Sequence, residues 1–222
     1  MSAQRTAALA PAPAGDPREL MARAPVIPVV VVEDPRVAVP VAAALVEGGL
    51  PVVEVTFRTA AAAEAIARIA AEVPGAVVGA GTVVSEAHVD EALSAGARFL
   101  VSPGATPRLL DAMQASGLPF LPGAATGSEL VALLERGLTA AKLFPAEAVG
   151  GTALLKAFAG PFPQVTFCPT GGIDAQLAPA YLALPNVACV GGSWMLPAAA
   201  VREGDWDGIR ALASAASALR RG

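Results

Sequence analysis

The chain contains only two lysines, Lys142 and Lys156. Lys142 lies within Thr139-Ala140-Ala141-Lys142-Leu143-Phe144-Pro145-Ala146-Glu147, a stretch that reads as a buried strand and its exit. Burial strips water from an ammonium group and disfavours its charged form. A neutral amine so produced is a nucleophile toward carbonyl carbon. The alternative for such a lysine is to snorkel from a strand end or to sit in a structural ion pair. A partner is available in Val52-Val53-Glu54-Val55-Thr56-Phe57-Arg58-Thr59. Side chains alternate along a strand, so Glu54, Thr56 and Arg58 share one side and Val53, Val55 and Phe57 the other. With the valines packed on helices, the polar set points inward. The same alternation points Ala140, Lys142 and Phe144 inward.

Two glycine pairs supply a different chemistry. They lie in Thr170-Gly171-Gly172-Ile173-Asp174 and Gly191-Gly192-Ser193-Trp194. Glycine lets backbone N–H groups approach an anion, and a helix N-terminus adds a favourable dipole. Plain tight turns are the competing explanation.

Other chemistries are poorly supplied. His88 is the only histidine, which excludes His-rich metal sites and argues against a His-based triad. Cys168 and Cys189 lie in apolar runs, where a buried thiol is inert. Gly79-Ala80-Gly81 lacks the third glycine of a dinucleotide fingerprint. Lys156 reads as a solvated helix residue, and Trp194 and Trp206 as packing residues.

The elements that must position these residues follow a regular beat. After a short helix near 19–23, strands are expected over 27–32, 51–57, 76–83, 98–102, 119–122, 139–144, 164–168 and 186–190. Helices are expected over 40–47, 59–72, 86–95, 106–116, 128–135, 153–158, 175–183 and 206–219. Thr106 is the expected N-cap of its helix, with Pro107 in the first turn. Repeated strand–helix units imply parallel pairing with right-handed crossovers, and eight of them favour a closed (β/α)8 TIM barrel. The expected architecture is therefore a single-domain α/β barrel over 18–222 with a short N-terminal helix. In a ring of eight, the second and sixth strands stand opposite each other and share a layer of inward side chains. Glu54 and Lys142 then face one another at the end where the strands of such barrels carry their sites.

Composition agrees with this. The 222 residues are 55% hydrophobic and only 15% charged, which suits parallel strands covered on both faces. A net charge of −4 with no basic run argues against nucleic acid as partner. The apolar run 26–32 is too short to span a bilayer, so no membrane is expected. Residues 1–17, rich in Ala and Pro, read as a disordered leader. Two cysteines in apolar runs are more consistent with thiols than with a disulfide, which points to the cytoplasm.

Taken together, Val53-Glu54-Val55-Thr56-Phe57-Arg58-Thr59, Gly79-Ala80-Gly81-Thr82-Val83, Ser102-Pro103-Gly104, Lys142-Leu143-Phe144-Pro145-Ala146-Glu147, Cys168-Pro169-Thr170-Gly171-Gly172-Ile173 and Gly191-Gly192-Ser193-Trp194 form a set. In order and spacing it resembles the bacterial 2-dehydro-3-deoxy-6-phosphogluconate (KDPG) aldolases, from about residue 18 onward. The resemblance implies a class I, Schiff-base aldolase on a (β/α)8 barrel, usually a homotrimer, acting in the Entner–Doudoroff pathway on a phosphorylated keto acid. Members often also cleave 4-hydroxy-2-oxoglutarate, and the resemblance calls for no cofactor. It matches Lys142 to the Schiff-base lysine and Glu54 to a general acid/base working through water. Arg58 and Thr82 match residues that hold the pyruvate carboxylate, with Pro103 and Phe144 lining that pocket. Thr170 matches a contact to the sugar-acid part, and Gly171, Gly172, Gly192 and Ser193 match the phosphate end.

Three other readings are open to sequence. The related phosphogalactonate aldolases share the lysine and glutamate but typically differ at the segments equivalent to 56–59 and 146–147. A phosphate-binding synthase or isomerase would use the lysine as a general acid without covalent chemistry. A barrel subunit kept for assembly would need no chemistry at all.

Overall fold

The computed structural model describes residues 15–219. The expected leader, residues 1–17, lies outside the described residues up to residue 14. The short N-terminal helix is α1, Pro17–Met21, two residues earlier than expected. Asp16 caps it by accepting from Arg18 N–H, and Pro17 fits the first turn because its missing N–H has no helical partner there.

Strand–helix alternation then runs through β1 Val26–Val30, α2 Ala38–Glu47, β2 Val52–Thr56, α3 Ala62–Glu72, β3 Val77–Gly81, α4 Glu86–Ser94, β4 Leu100–Val101 and α5 Pro107–Ala115. It continues through β5 Phe120–Leu121, β6 Gly123–Ala124, α6 Gly127–Glu135, β7 Ala140–Leu143, α7 Gly151–Ala159, β8 Thr166–Pro169, α8 Ala178–Leu182, β9 Val190–Gly192, α9 Ala198–Glu203 and α10 Trp206–Ser217. Short 3-10 turns, Pro35–Val37 and Glu147–Val149, precede α2 and α7. Thr106 caps α5 by accepting from Leu109 N–H, as its sequence position predicts. Thr126 and Glu129 form a reciprocal capping box at the start of α6.

The strands are parallel and pair in two sheets, β5-β4-β3-β2-β1-β9 and β6-β7-β8. Isolated bridges Phe167–Val187 and Thr170–Gly191 link β8 to the β9 side. Two expectations need correction, and one element is new. The fifth strand, expected over 119–122, is split at Pro122, which has no N–H to offer a ladder; β5 pairs with β4, and β6 with β7. The eighth strand, expected over 186–190, begins at Val190, because residues 186–188 meet β8 through a single isolated bridge at Phe167, with Phe167 N–H donating to Asn186 O and Ala188 N–H to Phe167 O. Helix α9 was not anticipated from its short Pro-Ala-Ala-Ala start.

The two faces of the strands serve separate cores. Val53, Val55, Ala141, Leu143 and Phe167 pack with helix residues such as Leu45, Ile66 and Leu155. Their chain neighbours Val52, Ala140 and Cys168 turn the other way and pack with Ile27, Phe99, Val101, Leu121 and Cys189. Helix α1 lays Leu20 and Met21 into this second cluster. The period-2 alternation thus defines an inner face, turned away from the helices α2 to α8. Glu54, Lys142 and Thr170 stand two residues further along that same face.

Candidate active site

Lys142 and Glu54 meet on the inner face. Lys142 Nζ lies 3.2 Å from Glu54 Oε1, with both residues almost fully buried, at 4% and 3% exposure. The strand holds the lysine firmly: its backbone N–H donates to Pro122 O at 2.9 Å, and its register partners are Gly123 and Cys168. Removing two charges from water costs several kcal/mol per ion, on the order of what a close contact pair returns, so neither group is stable there alone. The ammonium also lies 5.1 Å from the centre of the Phe144 ring, within cation–π range.

The glutamate has room because β3 ends in a glycine, Gly81, beside its carboxylate. A Cβ on Gly81 would overlap the Glu54 carboxylate. Just beyond it, Thr82 adopts φ +57, the left-handed region that a β-branched residue rarely enters. Phe57 N–H donates to Gly81 O at 2.8 Å, so the chain leaves β2 and β3 side by side. Arg58 and Thr82 therefore emerge at the same end, Arg58 exposed and Thr82 half-buried. The inward alternation stops short of Arg58, because β2 ends at Thr56, whose buried hydroxyl donates to Val30 O.

On the far side, Pro103 is half-buried in the loop after β4, next to the buried Ser102. Thr170 is buried, at 5% exposure, and its backbone N–H donates to Leu143 O at 2.9 Å, tying the exits of β7 and β8. Gly171 and Gly172 follow at φ +104 and +80. Two consecutive residues in this region strongly favour glycine, and glycines leave the backbone uncovered. Gly192 is buried at the end of β9, and Ser193 is exposed beyond it. The Thr170–Gly191 bridge brings the two glycine pairs together.

The remaining candidates take structural places. Trp194 and Trp206 pack against the helix-side core, and Lys156 is exposed on α7. His88 stacks on Phe57, with ring centres 4.9 Å apart. Cys168 is a buried thiol, and no disulfide joins it to the buried Cys189. Among the described residues, no group of three or more His, Cys, Asp and Glu side chains is placed to hold a metal ion, and no helix is long and apolar enough to cross a membrane. One contact escaped sequence reasoning: the hydroxyl of Tyr181, from α8, donates to the Glu147 carboxylate. Nothing in the spacing signals it, because the two residues are 34 apart and Tyr181 sits in an ordinary apolar helix pattern.

Comparison with known proteins gives one consistent result. The family model "KDPG and KHG aldolase" matches residues 18–212. A 2-dehydro-3-deoxy-phosphogluconate aldolase of Pseudoalteromonas atlantica is 49% identical over 201 residues, covering 90% of this chain and 94% of that protein. The KHG/KDPG aldolase of Escherichia coli is 51% identical over 194 residues, covering 87% and 91%. Among solved structures, KDPG aldolase from Legionella pneumophila, with pyruvate captured at low pH as a covalent carbinolamine intermediate, superposes with a TM-score of 0.89 at 46% identity, covering 92% of this chain and 99% of that one. With a family model spanning most of its length and relatives near half identity, the chain belongs to the KDPG and KHG aldolase family.

Proposed function

We propose that the protein is a class I aldolase that cleaves 2-dehydro-3-deoxy-6-phosphogluconate to pyruvate and glyceraldehyde 3-phosphate, and also accepts 4-hydroxy-2-oxoglutarate. The observation that carries this reading is the buried 3.2 Å contact between Lys142 Nζ and Glu54. A proton passed across that contact leaves a neutral amine beside a neutral carboxylic acid. The amine attacks the C2 ketone, Glu54 gives the proton it received to the departing hydroxyl of the carbinolamine, and water leaves as an iminium forms beside the Glu54 carboxylate. The iminium accepts the electron pair of the C3–C4 bond as Glu54, through a water molecule, removes the C4 hydroxyl proton. Glyceraldehyde 3-phosphate departs, the enamine gains a proton at C3, and hydrolysis returns pyruvate and Lys142.

Arg58 and Thr82 hold the pyruvate carboxylate, a role suited to the fork of a guanidinium. Their shared exit beside Gly81 supports this pairing. Pro103 and Phe144 line the pyruvate pocket, and Thr170 contacts the sugar-acid part. Gly171, Gly172, Gly192 and Ser193 receive the phosphate, supported by the left-handed φ of Gly171 and Gly172.

The two sheets are arcs of one closed (β/α)8 barrel. Supporting this, β5 and β6 are separated by a single residue, β9 pairs with β1, and bridges link β8 to the β9 side. The assembly is a homotrimer, a reading supported by family membership and by apolar residues such as Val31 and Val84 left 45% and 55% exposed. A cytoplasmic setting is supported by Cys168 remaining a thiol.

Reduction with borohydride in the presence of pyruvate, followed by peptide mass mapping, tests the chemistry. The expected outcome is a pyruvate-derived adduct on the peptide containing Lys142. An unmodified Lys142, or an adduct confined to Lys156, removes Schiff-base chemistry from this site.

A further inference from the structure

Glu147 closes the motif that begins at Lys142, yet the mechanism gives it no task. Its position is specific. Thr170 N–H donates to Leu143 O, Ala146 N–H to Thr170 O at 2.8 Å, and Glu147 N–H to Gly171 O at 3.1 Å. The segment leaving β7 is thereby laced to the loop leaving β8. At the end of this lacing the Glu147 side chain lies against Gly172: a Cβ there would stand 2.8 Å from Glu147 Cβ and 2.9 Å from Cγ. The Glu147 carboxylate is anchored from behind by the hydroxyl of Tyr181. Tyr181 is only 1% exposed and cannot swing away without opening the helix-side core. Burial, and then the adjoining Glu147 carboxylate, push its phenol well above the ordinary range, which keeps it a hydrogen-bond donor.

We propose that the Glu147–Tyr181 pair is a positioning device that sets the placement of Gly171 and Gly172 relative to Lys142, and so fixes the preference for phosphorylated over unphosphorylated substrates. This rests on the reading of that loop as the phosphate cradle. Backbone N–H groups bind an anion strongly only when aimed at it, and charge-assisted hydrogen bonds lose strength as distance and angle slip. A loop of two glycines has no side chains to fix its own aim. Glu147 supplies the fixed surface, and Tyr181 fixes Glu147. The residues assigned to the pyruvate pocket, Lys142, Arg58, Thr82, Pro103 and Phe144, stand on or just after β2, β3, β4 and β7, and the Tyr181–Glu147 bond involves none of them.

The test compares KDPG with 2-dehydro-3-deoxygluconate, which lacks only the phosphate, on Glu147→Ala, Glu147→Gln and Tyr181→Phe enzymes. Glu147→Ala raises KM for KDPG by about tenfold while changing kcat by less than about threefold. Its kcat/KM on the unphosphorylated acid stays within about twofold of the unaltered enzyme. Glu147→Gln, which keeps an acceptor for Tyr181, restores most of the KM, and Tyr181→Phe moves it in the same direction as the alanine change. Trapping of pyruvate on Lys142 is unchanged in all three. Equal losses on both substrates, or an alanine variant that behaves like the unaltered enzyme, overturn the proposal. If the alanine variant does not fold, the split between the two substrates in Tyr181→Phe decides in the same way. An unaltered enzyme that neither cleaves KDPG nor traps pyruvate overturns the proposed function itself, a distinct result.

Discussion

The inner face of the strands changes character within two residues. Val52, Ala140 and Cys168 make an apolar layer with Phe99, Val101 and Leu121, closed by Leu20 and Met21 of α1. One step further along the same strands stand Glu54, Lys142 and Thr170. Backbone, pairing and burial are nearly the same in the two layers, so the difference lies in the side chains alone. In the first, every group removed from water is apolar, and burial stabilises by about 25 cal/mol per Å². In the second, two opposite charges are held out of water, where an apolar pair of the same volume would be as stable or more so. Stability does not call for that arrangement, whereas an amine and a carboxylate held ready for proton exchange do.

The comparison is sharpened first by Glu54→Gln. As the proposed acid/base, its loss lowers turnover by roughly 10²–10⁴-fold, measured as steady-state cleavage of KDPG. Near-normal turnover would return the pair to a structural role. The stability side is broken by two changes measured together in denaturant. Phe99→Ala in the apolar layer costs about 3–5 kcal/mol and leaves kcat of the folded enzyme intact. Lys142→Met alone strands the Glu54 charge and costs a similar amount, about 3–5 kcal/mol, but combining it with Glu54→Leu recovers that loss while activity stays absent. A double variant no more stable than Lys142→Met would mean that the pair itself stabilises the fold.

The smallest effect lies outside both layers, at the capping box of α6. Glu129 pays some desolvation, but N–H groups of Ala125 and Thr126 and the Thr126 hydroxyl outweigh it and hold its carboxyl below the ordinary 4.5. A carboxylate depressed in the folded state stabilises above its unfolded value, and the contribution fades as pH falls through the folded one. Because the group is solvent-screened, Glu129→Ala costs under about 1 kcal/mol at neutral pH. The gap between variant and unaltered melting curves closes on acidification below pH 4.5. A gap that persists at low pH would assign the effect to contacts of the side chain that do not depend on its charge.

Much of this was legible in the chain. Thr106 announces its helix because a hydroxyl three residues ahead of an N–H satisfies a donor that the helix itself leaves unpaired. The alternation Val53-Glu54-Val55 assigns faces because a strand has no other way to bury three residues. Legibility failed where pairing depends on partners elsewhere. Pro122 splits a strand whose apolar run looks continuous, and residues 186–188 bond to Phe167 without becoming a strand. Arg58 leaves the alternation because β2 ends before reaching it.

By itself the sequence determined the strand–helix rhythm and which residues face inward, since both follow from local period and local capping. It also placed Glu54 and Lys142 in one layer, because strand count and period suffice for that. The closeness of the pair, at 3.2 Å, was decided only by the tertiary structure, through the space that Gly81 leaves for the carboxylate. So too was the contact of Tyr181 with Glu147, two residues 34 apart that no periodicity connects. Local rules act over a turn or a strand, and distances between side chains from different elements are set by how whole elements pack.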